Sequence, residues 1–285
     1  MSRIAYVNGR YVPHRDAAVH VEDRGYQFAD GVYEVCEVRR GQLVDERRHI
    51  GRLQRSLSEL RIPLPMPLSA ISVVLHETIR RNRVSEGIVY LQVTRGVARR
   101  DFQFPIPETR PSLVVTARSL DLGKNEKLAV DGTAVITVPD NRWERVDIKS
   151  VSLLPNVLAK QAARDKGARE AWFVDREGRV TEGASSNAWI VTADGRVVTR
   201  PAERGILRGI TRTVLLDAIK AQGVRLEERP FTVAEAYAAH EAFVTSASQI
   251  VMPVVSIDGR PVGTGKPGKV TLALRAAFHR YAEFS

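Results

Sequence analysis

The sequence predicts a two-domain α+β protein, and three observations carry that prediction. At 285 residues the chain exceeds one typical domain and can bury a substantial core. Strand-like and helical segments are mixed without the regular alternation of a parallel doubly wound sheet. A polar stretch, SLDLGKNEK from Ser119, interrupts the apolar pattern before a β-rich section, AVDGTAVITV, begins. These place an N-terminal small α+β domain over 1–119, a linker over 120–125 and a C-terminal α+β domain over 126–285.

The elements follow in order. In YVNGRYV, Asn8 and Gly9 between apolar-rich segments signal a hairpin, and VYEVCEVRRGQLV reads as a second strand pair turning near Gly41. Ile50, Leu53, Leu57 and Leu60 recur at helical spacing, LPMP interrupts the chain, and Ile71, Val74, Leu75 and Ile79 mark a second amphipathic helix with Ser69 as its expected cap. GIVYLQVTRG and SLVVTARSL are β-rich runs separated by RRDFQFPIPETRP, a proline-containing loop suited to touching a substrate. Past the boundary, AWFVDREGRV and NAWIVTADGRVV have hairpin patterns, and LPNVLAKQAARDKG and ITRTVLLDAIKAQG read as helices ended by Gly. Thr232 and Glu235 in FTVAEAYAA form a capping box, after which EAFVTS reads as a strand.

Composition narrows the function. Hydrophobic residues at 44% and charged residues at 27% describe an ordinary globular chain. Cys36 is the one cysteine, so no intrachain disulfide forms and a reducing cytoplasm fits best. The segment MSRIAYVNGRYVP reads as a hairpin rather than a signal peptide, and no apolar stretch approaches the ~20 residues that cross a bilayer. The net charge of +10 would attract anions, but the basic residues are scattered in pairs such as Arg47-Arg48 and Arg99-Arg100. A basic, solvated surface is expected, with no nucleic-acid or membrane partner. The six histidines have no metal-ligand spacing, so no metal is expected, and neither a Walker loop nor a dinucleotide fingerprint occurs.

What remains points to an amine, a carboxylate and an anion site. Lys149, between Ile148 and Ser150 ahead of an apolar helix, is expected to be largely desolvated, and a neutral lysine amine is the nucleophile that forms a Schiff base with a carbonyl. In RGILRGITRTVLL a Gly-flanked turn leads into a helix, so the N–H groups of Ile210 and Thr211 and the Thr211 hydroxyl can grip a phosphate. Arg52 in HIGRLQ offers compensating charge. Glu182 in RVTEGASSN ends a strand before small polar residues, as suits a carboxylate beside a flat ligand. Taken singly these are also a surface lysine, a capped helix, a solvated arginine and a turn glutamate; together they suit one cofactor.

The segments GYQFADGVYEV, HIGRL, VTRG, DIKSVSLLPNVLAKQ, VTEGASSN, LRGITR and FVTSAS, in this order, resemble the fold-type IV, or class IV, aminotransferases, and most of all their bacterial D-amino acid members. The resemblance runs from the first hairpin to about residue 265. It implies a two-domain fold-type IV enzyme that uses pyridoxal 5'-phosphate, held covalently by Lys149, which also shuttles the substrate proton. It further implies that Glu182 hydrogen-bonds the pyridine nitrogen and that Leu207 lies on the ring. Arg52, Ile210 and Thr211 then form the phosphate cup, with Ala247 standing where the family carries a second threonine and Ser246 or a backbone amide compensating for the lost hydroxyl. Tyr33 and Arg100 correspond to substrate-binding residues, whereas Phe102 replaces a histidine of the carboxylate trap. Because that trap arginine reaches across from a neighbouring subunit, a homodimer with its active site at the interface is implied. The implied reaction is ping-pong transamination between a D-amino acid and a 2-oxo acid such as 2-oxoglutarate or pyruvate. A branched-chain L-amino acid aminotransferase, an (R)-amine transaminase and an aminodeoxychorismate lyase would also use Lys149 and Glu182. GYQFADGVYEV and Arg100 favour the D-amino acid reading, and Phe102 keeps the (R)-amine reading open. A basic nucleic-acid-binding scaffold would account for the charge but not for the cofactor residues.

Overall fold

The computed structural model describes residues 3–203 and 205–285; Met1 and Ser2, at the head of the expected first domain, and Arg204 lie outside the described residues. The chain divides into two compact units. One is built from the residues up to Leu122 with Ile148–Ser152 and Glu283–Ser285, the other from Gly123–Asp147 and Leu153–Ala282.

The first unit contains β1 (Ile4–Val7), β2 (Arg10–Pro13), α1 (Arg24–Phe28), β3 (Gly31–Arg39), β4 (Gln42–Leu43), α2 (Glu46–Glu59), α3 (Leu68–Asn82), β5 (Glu86–Thr94) and β6 (Ser112–Ser119). Its strands pair in the order β2-β1-β6-β5-β3-β4, antiparallel throughout. The first hairpin turns on Asn8 and Gly9, both with positive φ, at 46° and 97°. Asn-Gly tolerates that pair of conformations, and they match the strand twist. Helix α2 buries Leu53 and Leu57 over β3, and α3 buries Ile71 and Leu75 over β1, β5 and β6, in one core that also holds Val32, Cys36 and Val38. Two details differ from expectation. Pro67 occupies the N-cap of α3 with no side-chain cap bond, which leaves Ser69 inside the first turn, and Leu60 is the C-cap of α2 rather than part of it. The fixed φ of proline starts the helix in place of a hydroxyl cap.

The second unit contains α4 (Leu122–Asp131, from Gly123 on), β7 (Thr133–Pro139), α5 (Leu154–Asp165), β8 (Glu170–Val174), β9 (Arg179–Gly183), β10 (Asn187–Val191), β11 (Val197–Thr199), α6 (Ile210–Ala221), β12 (Leu226–Glu228), β13 (Phe231–Thr232), α7 (Val233–Tyr237), β14 (Glu241–Ser246), β15 (Ile250–Ile257), β16 (Arg260–Pro261) and α8 (Lys269–Ala277). Nine strands run in the order β12-β11-β10-β14-β15-β7-β8-β9-β13, with β16 pairing β15. Parallel pairs (β7 with β8 and with β15, β11 with β12) are mixed with antiparallel ones. The stretch AVDGTAVITV is strand only from Thr133, because Ala129 is buried on α4 and Gly132 N–H closes that helix onto the Leu128 carbonyl at 2.7 Å. Trp172, Phe231 and Met252 fill one core, while Trp189 stacks on Phe243 in another with ring centres 5.4 Å apart. The capping box at Thr232 and Glu235 is formed. No helix among the described residues is long and apolar enough to cross a membrane.

Candidate active site

Lys149 lies in the first unit, on a segment pinned along the edge of β3. Tyr33 N–H donates to the Lys149 carbonyl and Val151 N–H to the Gly31 carbonyl, each at 3.0 Å, and Val32 bridges Ser150. On the α2 side, Lys149 N–H reaches the Ser56 hydroxyl at 3.4 Å. Ser150 N–H donates to the Ile148 carbonyl at 2.8 Å, so the backbone makes a tight turn at Lys149 itself. Ile148 and Ser150 are buried while Lys149 is half-buried, a lesser desolvation than its apolar flanks suggest. The ammonium nitrogen stands 4.1 Å from the centre of the Tyr33 ring. Among the described residues it has neither a carboxylate partner nor a side-chain hydrogen bond, so a cation–π contact is what orients an otherwise available amine. Burial lifts the Tyr90 phenol to about 12, which keeps the ring beside Tyr33 neutral.

Arg52 enters from α2 on the other face of β3 and meets Glu34. Its Nε and Nη2 donate to the two Glu34 carboxylate oxygens, both at 2.7 Å, and His49 Nδ1 lies 2.8 Å from Oε2. Burial alone would raise the Glu34 carboxyl, but the charge and hydrogen bonds of Arg52, aided by His49, hold it at about 2. Burial likewise opposes the Arg52 charge, yet Glu34 keeps that guanidinium above its usual value. Two of the arginine's donors are thus already engaged.

A pH dependence follows with a definite sign. Glu34 falls from 4.5 in the unfolded chain to about 2, so its contribution is complete above about pH 4.5 and is lost as pH drops towards 2. A shift of that size is worth about 3 kcal/mol. Urea unfolding followed from pH 6 to pH 3 should show the wild type losing stability more steeply than Glu34→Gln. Parallel curves would contradict it.

Arg100 and Phe102 lie in the loop after β5. The Arg100 guanidinium stands 4.5 Å from the centre of the Phe28 ring, and Phe102 packs on that ring with centres 5.5 Å apart. The aromatic beneath Arg100 is therefore Phe28, from GYQFADG, and Phe102 itself is 84% exposed.

The second unit carries the remaining candidates. Glu182, buried at the end of β9, accepts from Leu207 N–H and Asn187 Nδ2 at 3.1 Å each and from Arg142 Nη1 at 2.5 Å. Burial pushes this carboxyl above its usual value while Arg142 and the Leu207 N–H pull it down. Arg142 is fixed in turn, donating Nε and Nη2 to Asp140 at 2.9 and 2.8 Å and lying 4.4 Å over the Phe173 ring. Asn187 also donates to the Leu207 carbonyl at 2.9 Å, tying the turn before α6 to the carboxylate strand. Gly209 is required there for close approach, since a Cβ would stand 2.2 Å from Asn187 Oδ1.

Gly209 is the N-cap of α6 without a side-chain cap bond, and no acidic residue occupies the first turn. The leading N–H groups, including those of Ile210 and Thr211, thus have no side-chain acceptor among the described residues. Thr211 is buried, and its hydroxyl makes no hydrogen bond among the described residues. Asn187 pairs with Thr245 in the β10–β14 ladder, so the Ser246–Ala247 turn and Gly209 flank the same residue. This donor set fits a phosphate group. Sequence reading misses Glu34, His49, Arg142, Asp140 and Asn187; the local signal for the last is its place closing the small polar run after Glu182.

Known proteins resemble this chain over most of its length. The family described as Amino-transferase class IV matches residues 31–257. The D-alanine aminotransferase of Staphylococcus haemolyticus is 40% identical over 278 residues, covering 98% of this chain and 97% of that protein. That of Bacillus licheniformis is 42% identical over 270 residues, covering 95% and 94%. Among solved structures, a T.th. branched-chain amino acid aminotransferase with pyridoxamine 5'-phosphate superposes with a TM-score of 0.90 at 26% identity, covering 98% of this chain and 94% of that one.

Proposed function

The chain belongs to the class IV aminotransferases, and from that we propose that it transfers an amino group from a D-amino acid to a 2-oxo acid such as pyruvate or 2-oxoglutarate, with donor and acceptor using the same site in turn. The observation that carries the reading is the Lys149 amine, held by a pinned backbone against Tyr33 with no counter-ion among the described residues. The class works with pyridoxal 5'-phosphate, which when bound carries the amino group and accepts the electrons left by a departing proton. Lys149 Nζ holds that group and moves the proton taken from the substrate α-carbon. Glu182 supplies a fixed negative charge for the pyridine nitrogen. Ile210 and Thr211 offer N–H groups and a hydroxyl to the phosphate, with Ser246 and the Ala247 backbone as further donors and Arg52 as a compensating cation. Leu207 supports the ring. Tyr33, Arg100 and Phe102 select the substrate, Arg100 as the cation for its carboxylate.

The higher identity to two D-alanine aminotransferases favours this reading over a branched-chain L-amino acid enzyme, which the solved neighbour at 26% identity supports more weakly. A coupled assay over paired D- and L-amino acids and (R)-amines tests it. Turnover of D-alanine or D-glutamate well above the L-forms is expected, and preference for L-leucine or L-valine would overturn it. Arg100→Ala should raise KM for D-amino acids by about 10- to 100-fold, as a lost charge-assisted hydrogen bond does, and leave uncharged amines unaffected. Equal effects on both would remove Arg100 from the carboxylate site.

A homodimer in the cytoplasm completes the proposal. Helix α5 exposes Leu154, Val157 and Leu158 at i, i+3 and i+4, a stripe that a second copy would cover, and the one cysteine, Cys36, is buried and unpaired. Sedimentation at the mass of one chain would refute the dimer.

A further inference from the structure

We propose that Arg24 is a positioning residue for the substrate carboxylate, fixing the backbone that carries Arg100 and Phe102 and so setting how tightly an anionic substrate is held. The inference rests on the reading of Arg100 and Phe102 given above. Arg24 opens α1, and its side chain is only 4% exposed. Nη1 donates to the Asp101 carbonyl at 2.6 Å, and Nη2 reaches the Phe102 carbonyl at 3.5 Å. Nε donates to Asp30 at 2.8 Å, and the guanidinium stands 4.8 Å from the centre of the Phe28 ring that also supports Arg100.

One planar fork thus joins three things: the carbonyl between Arg100 and Phe102, the ring beneath both side chains, and the half-buried Asp30 carboxylate. The carboxylate is held from a second side as well. Arg95 donates to Asp30 through Nε and Nη2 at 2.7 and 3.1 Å and hooks the Leu60 and Arg61 carbonyls at 2.7 and 2.8 Å. Arg24 therefore stands on a frame outside the loop. Residues 99–104 are exposed, and an exposed segment without a buried anchor samples many conformations, which weakens binding by the fraction of time spent elsewhere. A lysine in place of Arg24 would keep the charge near Asp30 but lacks a fork that reaches the carbonyls as well.

Steady-state kinetics of the loaded enzyme test this with Arg24→Lys, Phe28→Leu and Arg100→Ala side by side. In Arg24→Lys, KM for a D-amino acid should rise about tenfold with kcat within about twofold, while the reaction with an uncharged primary amine and the bound-cofactor spectrum stay as in wild type. Phe28→Leu keeps the Arg24 hydrogen bonds but removes the shared ring; it should raise the same KM by about threefold, and it decides the matter if Arg24→Lys does not fold. Unchanged KM in the folded variants, or equal losses for the amino acid and the uncharged amine, would overturn the role of Arg24. If Arg100→Ala itself shows no carboxylate-selective effect, the assignment of Arg100 fails and this inference falls with it. If Arg100→Ala shows the effect and the other two do not, only this inference falls.

Discussion

Lys149→Ala is expected to lower transamination by at least about 10⁴-fold, the largest effect of any single substitution in the chain. Proton transfer by a positioned side chain is worth about 10²–10⁴-fold by itself, and covalent attachment is lost with it. The backbone around the site should be spared. Its fixings are the Tyr33 N–H to Lys149 carbonyl bond and the Val151 N–H to Gly31 carbonyl bond, both made by main-chain atoms that alanine retains. The checks are turnover in a coupled assay, the visible absorption of the loaded protein, and trapping of the cofactor on the chain by borohydride. An alanine variant that is still coloured, still trapped and still active would remove Lys149 from the chemistry.

Glu182→Gln is expected to leave the cofactor bound and lower kcat by about 10²–10³-fold, the range found when one preorganised electrostatic contact is removed. The amide oxygen can still accept from Leu207 N–H, so the turn before α6 keeps one tether, and Asn187 still holds the Leu207 carbonyl. What disappears is the negative charge. Arg142 loses one counter-ion and keeps the other, because Asp140 accepts from both its Nε and its Nη2. That second partner is why the variant should fold. Retained absorbance with slowed proton abstraction fits the role, whereas wild-type turnover rules it out.

Secondary structure is legible where the signal is local. Asn8-Gly9 and Arg40-Gly41 announce two-residue turns, and all four residues take positive φ. The capping box at Thr232 needs only three residues of context. Strand β15 is hidden by Pro253, which argues against a central strand, although β15 is paired on both sides by β14 and β7. Helix α8 is hidden because its N-terminus is satisfied from elsewhere: Glu241 of β14 accepts from Val270 and Thr271 N–H at 3.0 and 2.8 Å. The site divides the same way. Lys149, Glu182 and Thr211 each stand in a recognisable stretch of chain, whereas Glu34 with Arg52 and Arg142 with Glu182 are pairs formed by tertiary approach, invisible to any window along the sequence.

The excursion of Ile148–Ser152 into the first unit has a consequence for how the molecule can be taken apart. A fragment ending at Leu122 would leave the edge of β3 at Gly31 and Tyr33 unpaired, and would lack the C-terminal strip whose Ser285 N–H and carbonyl clasp Leu43. Cutting at that point yields a truncated sheet with raw edges prone to self-association, not an autonomous module. Rebuilding it would require, at the least, the 148–152 and 283–285 peptides supplied in trans.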